Sequence, residues 1–356
     1  MAPYFGSIEY MRAQKWDQFI AAMNRWGSPS ENQVYADIDG NIGWKPGGRA
    51  PIRPNWDGML PVPGDGSYEW TGFYDMDQLP QEYNPKRGWV ATANQMNLPT
   101  GYPYRERKPG FEWASPWRYQ RINEILSIAK NVTLQDSLRL QTDYLSVPAR
   151  RITAVLKGLH AKDSKVEKAL EMMRAWNCVL SVNSAPAVLF EIWYRKHLCP
   201  ALATKLVHTL VSTNEAKAAG LSVGTGDPIV IFNLIENTDS RLGANPVTVR
   251  DEVLLSSLSK AIQELEKLSG PEMEKWAWGK LHHAKFEHPL SKILNKSDLL
   301  DVGPLPRGGS GDTVGNTSYR TNRCNPKKIK IVFSKGNILK LLFHFYLGPP
   351  TQILSF

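Results

Sequence analysis

Two polar side chains occupy positions from which they could take part in catalysis. Asn94 follows residues 89–93, an apolar run that predicts a buried strand, so its amide would be presented to a cleft at the end of that strand. Arg118 lies in the first turn of a predicted helix in which Ser115 is the N-cap and Pro116 the first residue. A cation there opposes the helix dipole, which indicates a role other than helix stability, with a solvated arginine as the alternative.

Two further clusters of ionisable residues have simpler structural explanations. His282, His283 and His288 invite a metal site, but no carboxylate has HExxH spacing and no cysteine lies near, which favours structural or surface roles. Asp37 and Asp39 flank a predicted hairpin turn, where aspartate is a common turn former. We therefore favour a turn over a paired-carboxylate acid/base site.

Other familiar catalytic signatures are missing from the sequence. No G-x-S-x-G elbow supports a Ser-His-Asp triad, and the glycine-rich segment 307–313 lacks the lysine of a phosphate-binding P-loop. Cys178, Cys199 and Cys324 form no CxxC pair, which favours idle or buried thiols over a disulfide framework or a zinc site.

The elements that would position these residues fall into two classes. An apolar stripe predicts a helix over residues 16–26, and Asp39-Gly40 between two strand-like runs predicts a hairpin. After residue 115 the pattern is helical, with a capping box at Thr133 and a long amphipathic helix over 253–268. The composition predicts a β-rich part with one helix over 1–114, a mostly helical part over 115–322 and an anomalous basic tail over 323–356.

The composition is that of a globular protein with a substantial core. The 356 residues are 42% hydrophobic, 10% aromatic and 22% charged, which excludes disorder and a bundle of membrane spans. Residues 320–356 contain five Lys, two Arg and no acid, so most of the net charge of +9 lies in this segment. A nucleic-acid binder spreads its basic surface over the fold, so we predict neither a nucleic-acid nor a membrane partner.

Long stretches of the sequence resemble the β-subunit of the penicillin amidase (penicillin acylase) family. They read SENQVYADIDGNIGW from Ser30, DGMLPVPGDGSYEWTGF from Asp57 and NPKRGWVATAN from Asn84. The resemblance continues through WRYQRINEIL at Trp117 and, more loosely, GPLPRGGSGDTV at Gly303. It covers residues 3–322, and the basic tail replaces the β-rich segment with which relatives continue, as a frameshift would.

The resemblance implies a fold and a reaction. The family's α+β fold is a four-layer αββα sandwich, of which this chain would form part, and its members are N-terminal-nucleophile hydrolases. They cleave the linear amide between an acyl side chain and an amine, such as a β-lactam nucleus or a homoserine lactone. The nucleophile is a serine at the β-chain N-terminus, activated by its own α-amine.

Residue by residue, the resemblance assigns Asn94 to the oxyanion hole and makes Arg118 the arginine that orients this asparagine and the nucleophile. The nucleophilic serine, the rest of the β-chain start and the α-subunit precede the region that aligns with Met1. Ser7 and Ser310 follow glycines, but neither matches the family's processing site. We therefore expect this chain alone to be inactive, with the missing segments and a small-molecule amide substrate as its partners.

The resemblance also has implications for calcium binding and for cellular location, but only for the complete enzyme. The chemistry needs no cofactor, although structural Ca²⁺ is often bound in the family, and Glu106 and Glu112 are the only acids between Asn94 and Arg118. The complete enzyme would be periplasmic or secreted, while this chain carries no signal peptide. The alternatives to an amidohydrolase function are a non-catalytic fragment and a binding module whose Trp and Tyr residues line a groove.

Overall fold

The chain forms two compact units that divide between Lys130 and Asn131. The computed structural model describes residues 3–111, 113–210 and 226–316, so Glu112, Cys324 and the basic tail lie outside the described residues. The change from strands to helices at residue 115 occurs within the first unit. The predicted domain limits at 114 and 322 stay a prediction.

The first unit combines short helices with small antiparallel sheets. One sheet has three strands in the order β1-β2-β5, and β3 pairs with β4 in a second sheet. Its elements are α1 (Ser7–Tyr10), α2 (Trp16–Met23), β1 (Glu31–Ala36), β2 (Ile42–Gly47), β3 (Pro51–Ile52), β4 (Gly72–Phe73), β5 (Glu82–Tyr83) and α3 (Trp117–Leu126).

The β1–β2 hairpin confirms the turn predicted at Asp39-Gly40. Val34 pairs with Trp44, and Gly40 adopts a left-handed φ of 83°. The Asp37 carboxylate closes the turn by accepting hydrogen bonds from the backbone N–H groups of Asp39 (3.0 Å) and Asn41 (2.9 Å). Desolvation acts to raise the pKa of Asp37, but these bonds and that from the Asn41 amide outweigh it and lower the pKa. The carboxylate therefore serves the turn.

Helix α2 packs its aromatic stripe on the hairpin, as its periodicity predicts. The rings of Trp16 and Phe19 lie 5.4 and 5.5 Å from that of Tyr35, and Phe19 and Tyr35 are fully buried. Gly43 lets the Trp16 ring approach β2, because a Cβ at this position would overlap the ring. The stripe is thus core packing.

Two strand predictions in this unit are wrong or too long. Residues 89–93 form no strand, since no neighbouring strand among the described residues pairs with them. Residues 68–73 contribute only the two-residue strand β4. Both runs are aromatic or β-branched, but a strand also requires a partner for its backbone groups.

The second unit is mostly helical. A π-helical turn at Trp193–Leu198 joins α7 to α8, and the long helix α10 crosses the unit. No helix in the described ranges is both long and apolar enough to span a bilayer. The elements of the second unit are α4 (Leu134–Gln141), α5 (Val147–Leu156), α6 (Ser164–Arg174), α7 (Ala185–Ile192), α8 (Cys199–Leu210), α9 (Pro228–Glu236), α10 (Pro246–Ser269), α11 (Trp278–Leu281), β6 (His283–Phe286), α12 (Ser297–Leu300) and β7 (Val302–Pro306).

Local sequence signals set several of these helices. The capping box predicted at Thr133 is present: its hydroxyl accepts from the Asp136 N–H while the Asp136 carboxylate accepts from the Thr133 N–H. Gly270 caps the long helix, which begins at Pro246, earlier than the predicted start at 253. Leu254 and Leu258 of that helix are buried, and Trp193 donates to the Ser257 hydroxyl at 2.8 Å.

The glycine-rich loop is a packing cradle around Tyr144. A Cβ added at Gly308, Gly309 or Gly315 would lie 2.6–2.8 Å from the Tyr144 ring. Gly309 also accepts a 2.8 Å hydrogen bond from the indole N–H of Trp278. Close approach to an aromatic ring therefore accounts for these glycines.

A partly buried charge network ties this loop to the π-helical turn. The Arg195 guanidinium bridges Glu191 and Asp312, with N–O distances of 2.7 Å to each carboxylate. Glu191 is completely buried, and desolvation raises its pKa although the guanidinium acts in the opposite direction. This network thus joins Arg195 to Asp312, which lies 117 positions away in the sequence.

Candidate active site

Asn94 lies in a sharp turn held by hydrogen bonds on both sides. Its backbone is left-handed, with a φ of 65°, which asparagine tolerates better than most residues. Its carbonyl accepts from the Ala114 N–H at 2.8 Å, and the preceding Ala93 N–H donates to the side chain of Gln95 at 2.7 Å. Gln95 is buried while the Asn94 side chain is exposed. The turn therefore presents this amide outwards, although no strand leads to it.

Arg118 is the second residue of α3, in the first turn as predicted. The N-cap is Pro116 and not Ser115, and no side chain caps this helix end. The prediction of a Ser115 cap is therefore wrong, because Pro116 stands one position before the helix. Trp117, which is 1% exposed, anchors the same turn in the interior. Arg118 is half-buried beside it.

The structure brings the two predicted site residues into direct contact. Nη2 of Arg118 donates to Oδ1 of Asn94 at 3.0 Å. Because an amide accepts through its oxygen and donates through its nitrogen, this bond directs the Nδ2 hydrogens away from the guanidinium. In the described part of the chain no hydrogen bond from Nδ2 is found. The pair thus offers a polarised, oriented N–H donor to an external anion or carbonyl.

A cavity of about 630 Å³ opens elsewhere in the first unit. Arg53 lies over the rings of Trp56 (5.5 Å) and Trp70 (5.9 Å), and the ammonium of Lys108 lies 3.5 Å from the carboxylate of Asp57. Neither Asn94 nor Arg118 lines this cavity. Sequence reasoning did not single it out, since its lining comes from turns without a periodic pattern.

The three histidines of the second unit do not form a metal site. His282 is buried, stacks on Trp278 and pairs through Nδ1 with the Arg307 carbonyl at 2.8 Å. His288 accepts from the Leu290 N–H at 3.1 Å. Over the described ranges no three His, Cys, Asp or Glu side chains are grouped to hold a metal ion.

Of the two acids that the calcium prediction considers, only Glu106 lies within the described residues, where it forms part of no oxygen cage. Glu106 lines the 630 Å³ cavity with Asp57, whose carboxylate is paired with Lys108, and Glu112 lies outside the described residues. These residues alone do not fit a calcium ion. Calcium in the complete enzyme stays a prediction.

Neither Ser7 nor Ser310 is arranged as an activated nucleophile. Ser310 is fully buried, and its hydroxyl oxygen accepts from the Asp312 N–H at 3.3 Å. Ser7 begins the four-residue helix α1. The Ser310 hydroxyl also interacts with the buried Glu191 carboxylate, which is paired with Arg195. Within the described ranges no hydrogen bond to a general base is found for the Ser7 hydroxyl.

Sequence reasoning found the Asn94–Arg118 pair but missed Gln95, which fixes the turn behind Asn94. The only signal was a second amide next to the first, Asn94-Gln95. Such a pair does not reveal which side chain is buried.

Comparisons with known proteins show which family the chain matches. The penicillin amidase family model matches residues 1–340. An acyl-homoserine lactone acylase QuiP of Pseudomonas syringae pv. syringae (strain B728a) is 28% identical over 309 residues, covering 81% of this chain and 36% of the relative. A penicillin acylase 2 proenzyme of Pseudomonas sp. (strain SE83) is 28% identical over 305 residues, covering 83% and 37%. The chain thus spans less than half the length of these relatives.

Among solved structures, a thermostable penicillin G acylase from Alcaligenes faecalis superimposes with a TM-score of 0.55. The match has 22% identity and covers 76% of this chain and 53% of that one. It confirms the fold class predicted from the sequence, the N-terminal-nucleophile hydrolase fold.

Proposed function

The chain belongs to the penicillin amidase family, and from this premise we propose that it supplies the oxyanion-binding part of an amidohydrolase active site. The substrate is a linear amide between an acyl side chain and an amine, of the β-lactam or N-acyl homoserine lactone type. The observation that carries the proposal is the 3.0 Å bond by which Arg118 orients the Asn94 amide.

The proposed reaction is acyl transfer followed by hydrolysis. A serine hydroxyl attacks the amide carbonyl and gives its proton to a base, and the carbonyl oxygen becomes an oxyanion. Nδ2–H of Asn94 donates to this oxyanion, and collapse of the intermediate expels the amine, which takes up the proton. Water then attacks the acyl-serine through the same oxyanion contact and releases the carboxylic acid.

In this proposal Arg118 is a positioning residue. Its guanidinium holds Oδ1, which prevents the amide from rotating and directs Nδ2 to the position where charge develops. It also polarises the amide, which strengthens the N–H as a donor. A donor of this kind contributes on the order of 10² to 10³ in rate in other acyl-transfer enzymes.

We further propose that the nucleophilic serine comes from a segment outside these 356 residues. Two features support this: the relatives are more than twice as long as the matched region, and Ser310 is buried and bonded to Asp312. By the same family argument, the complete enzyme acts in the periplasm or outside the cell. Activity measured in periplasmic, secreted and cytoplasmic fractions tests this location.

The test compares two forms of the protein. The 356-residue chain is incubated with an N-acyl homoserine lactone and with a penicillin, alone and joined to the sequence encoded upstream of Met1. We expect release of the amine only from the joined form. Turnover by the chain alone contradicts an external nucleophile, and absence of turnover in both forms contradicts the amidohydrolase.

One observation favours a second candidate function, a binding module for aromatic or acyl ligands. The 630 Å³ cavity combines Trp56 with the exposed apolar side chains of Met59 and Leu60. Replacement of Asn94 distinguishes the two functions, because Asn94 lies outside this cavity. The replacement would leave ligand binding by a binding module intact, whereas it would abolish amide turnover by an amidohydrolase.

A further inference from the structure

A second cavity, of about 650 Å³, lies in the helical unit and is unrelated to the Asn94 site. The π-helical turn and the start of α8 form one wall, and the 3₁₀ turn Ser240–Leu242 with the middle of α10 forms the other. Its lining residues are Lys196, His197, Pro200, Ala201, Thr204, Lys205, Arg241, Leu242, Gly243 and Lys260.

Basic side chains dominate this cavity. Three lysines, one arginine and one histidine line it, and none of its described lining residues is an aspartate or a glutamate. They come from four different elements, so the cluster arises from the tertiary fold and not from a basic run in the sequence. Cations gathered in a concave site reinforce one another's potential and attract anions.

Neighbouring carboxylates compensate only part of this charge. Glu264 lies 2.6 Å from Lys196 and 2.8 Å from the His197 ring, and Asp239 lies 2.7 Å from Arg241. Lys205 and Lys260 form no ion pair with any residue that the structure describes. Among the described residues, two carboxylates therefore face four cations, which leaves an excess of two positive charges.

Some lysines elsewhere in this unit have carboxylate partners, such as Lys165 with Glu266 at 2.6 Å and Lys285 with Asp301 at 3.2 Å. Lys205 and Lys260 differ from these two in lining a cavity that also contains Lys196 and Arg241. Like charges that are only partly compensated by acids destabilise the fold to a small extent, and an anionic ligand would remove that cost.

The floor of the cavity is apolar. Leu242 is 5% exposed, and Pro200 and Ala201 lie beside it. The Thr204 hydroxyl donates to the Pro200 carbonyl at 2.7 Å, so the donors left for an anion are the basic side chains. A ligand that fits must combine about two negative charges with an apolar portion.

We propose that this cavity binds a small organic phosphate. A phosphate monoester carries close to two negative charges at neutral pH, which matches the uncompensated charge of Lys205 and Lys260. Its organic part would lie on Leu242, Pro200 and Ala201. The cations surround one cavity and do not form an extended stripe, which favours a small molecule over a nucleic-acid strand.

Calorimetric titration of the full 356-residue chain with phenyl phosphate and with inorganic phosphate tests the proposal. We expect saturable binding at one site, tighter for phenyl phosphate. The double variant Lys205→Gln/Lys260→Gln should weaken phenyl phosphate binding about tenfold or more, because two charge-assisted contacts are lost.

The matched control is Lys157→Gln/Lys162→Gln, which removes two exposed lysines of the same unit outside the cavity. It should leave the dissociation constant unchanged. Equal weakening by both double variants would mean general attraction to a basic surface and overturn the proposal. Absence of saturable binding would overturn it as well, and equal affinity for the two phosphates would overturn the role of the apolar floor.

Discussion

The guanidinium of Arg118 and the amide oxygen of Asn94 are joined by a 3.0 Å hydrogen bond between residues 24 positions apart in sequence. Arg118 stands in the first turn of α3, where the helix dipole disfavours a cation. The contact with Asn94 gives this cation a partner outside the helix. This placement against the local electrostatic preference supports the positioning role proposed for Arg118.

Asn94→Gly removes the amide and keeps the left-handed backbone, which glycine adopts without strain. In the form of the protein that hydrolyses an N-acyl homoserine lactone or a penicillin, we expect kcat to fall about 10²- to 10³-fold, with KM little changed. The loss follows from an unstabilised oxyanion. Steady-state kinetics measure it.

The control for that variant is Asn97→Ala, which removes a nearby amide that bonds to the Thr92 hydroxyl at 3.3 Å. It should keep kcat near that of the unsubstituted protein. Full activity of Asn94→Gly would contradict the oxyanion assignment.

Arg118→Ala should lower kcat about 10- to 100-fold, because a misdirected Nδ2 no longer reaches the developing charge. The kcat of Arg118→Lys should lie between that of the unsubstituted protein and that of Arg118→Ala, since an ammonium keeps the charge but loses the planar fork. The double variant Asn94→Gly/Arg118→Ala should be no slower than Asn94→Gly alone if both residues act through one donor. Simple addition of the two losses would argue against a positioning role.

Gly43→Ala should destabilise the first unit by about 1–3 kcal/mol, since its Cβ would overlap the Trp16 ring and lie 3.0 Å from the Glu82 carbonyl. Gly64→Ala is the matched control, because no atom lies within 4 Å of a Cβ there. Urea unfolding followed by tryptophan fluorescence compares them. Equal midpoints would show that the α2–hairpin contact is looser than described.

His282 should make the helical unit sensitive to acid. Burial lowers its pKa to about 4, and nearby positive charges act in the same direction, although the hydrogen bond to the Arg307 carbonyl opposes them. The unfolded chain, with a pKa near 6.5, takes up the proton first as the pH falls. Stability present above pH 6.5 is therefore lost between about pH 6.5 and 4, by up to about 3 kcal/mol.

The measurement is the free energy of unfolding at several pH values for His282→Phe and for the control His160→Gln, an exposed histidine. His282→Phe should start from a lower stability at pH 7, because it loses the bond to Arg307, but decline less on acidification. A decline as steep as in the unsubstituted protein would assign the acid sensitivity to other groups.

Local signals in the sequence predicted much of the fold. The α2 stripe, the Asp39-Gly40 turn and the Thr133 capping box each depend on residues within about ten positions, and all are present. The prediction of a strand at 89–93 was wrong because strand pairing requires a distant partner strand, which no local pattern specifies. The prediction of Ser115 as the N-cap was wrong because the helix begins at Trp117, one residue after Pro116.

The site was predicted in part for the same reason. Asn94 and Arg118 were singled out by their neighbours and by family resemblance, but their contact depends on a left-handed turn that the sequence did not indicate. The cluster of Lys196, Lys205 and Lys260 brings together two distant stretches of chain, and only the tertiary fold reveals it.

The enclosure of Tyr144 by Gly308, Gly309 and Gly315 has a spectroscopic consequence. Protons held close to an aromatic ring experience its ring current, so the resonances of these glycines should be displaced from their random-coil positions. The loop is also linked to Glu191 through Asp312 and Arg195. These resonances would report on loop docking without an added label.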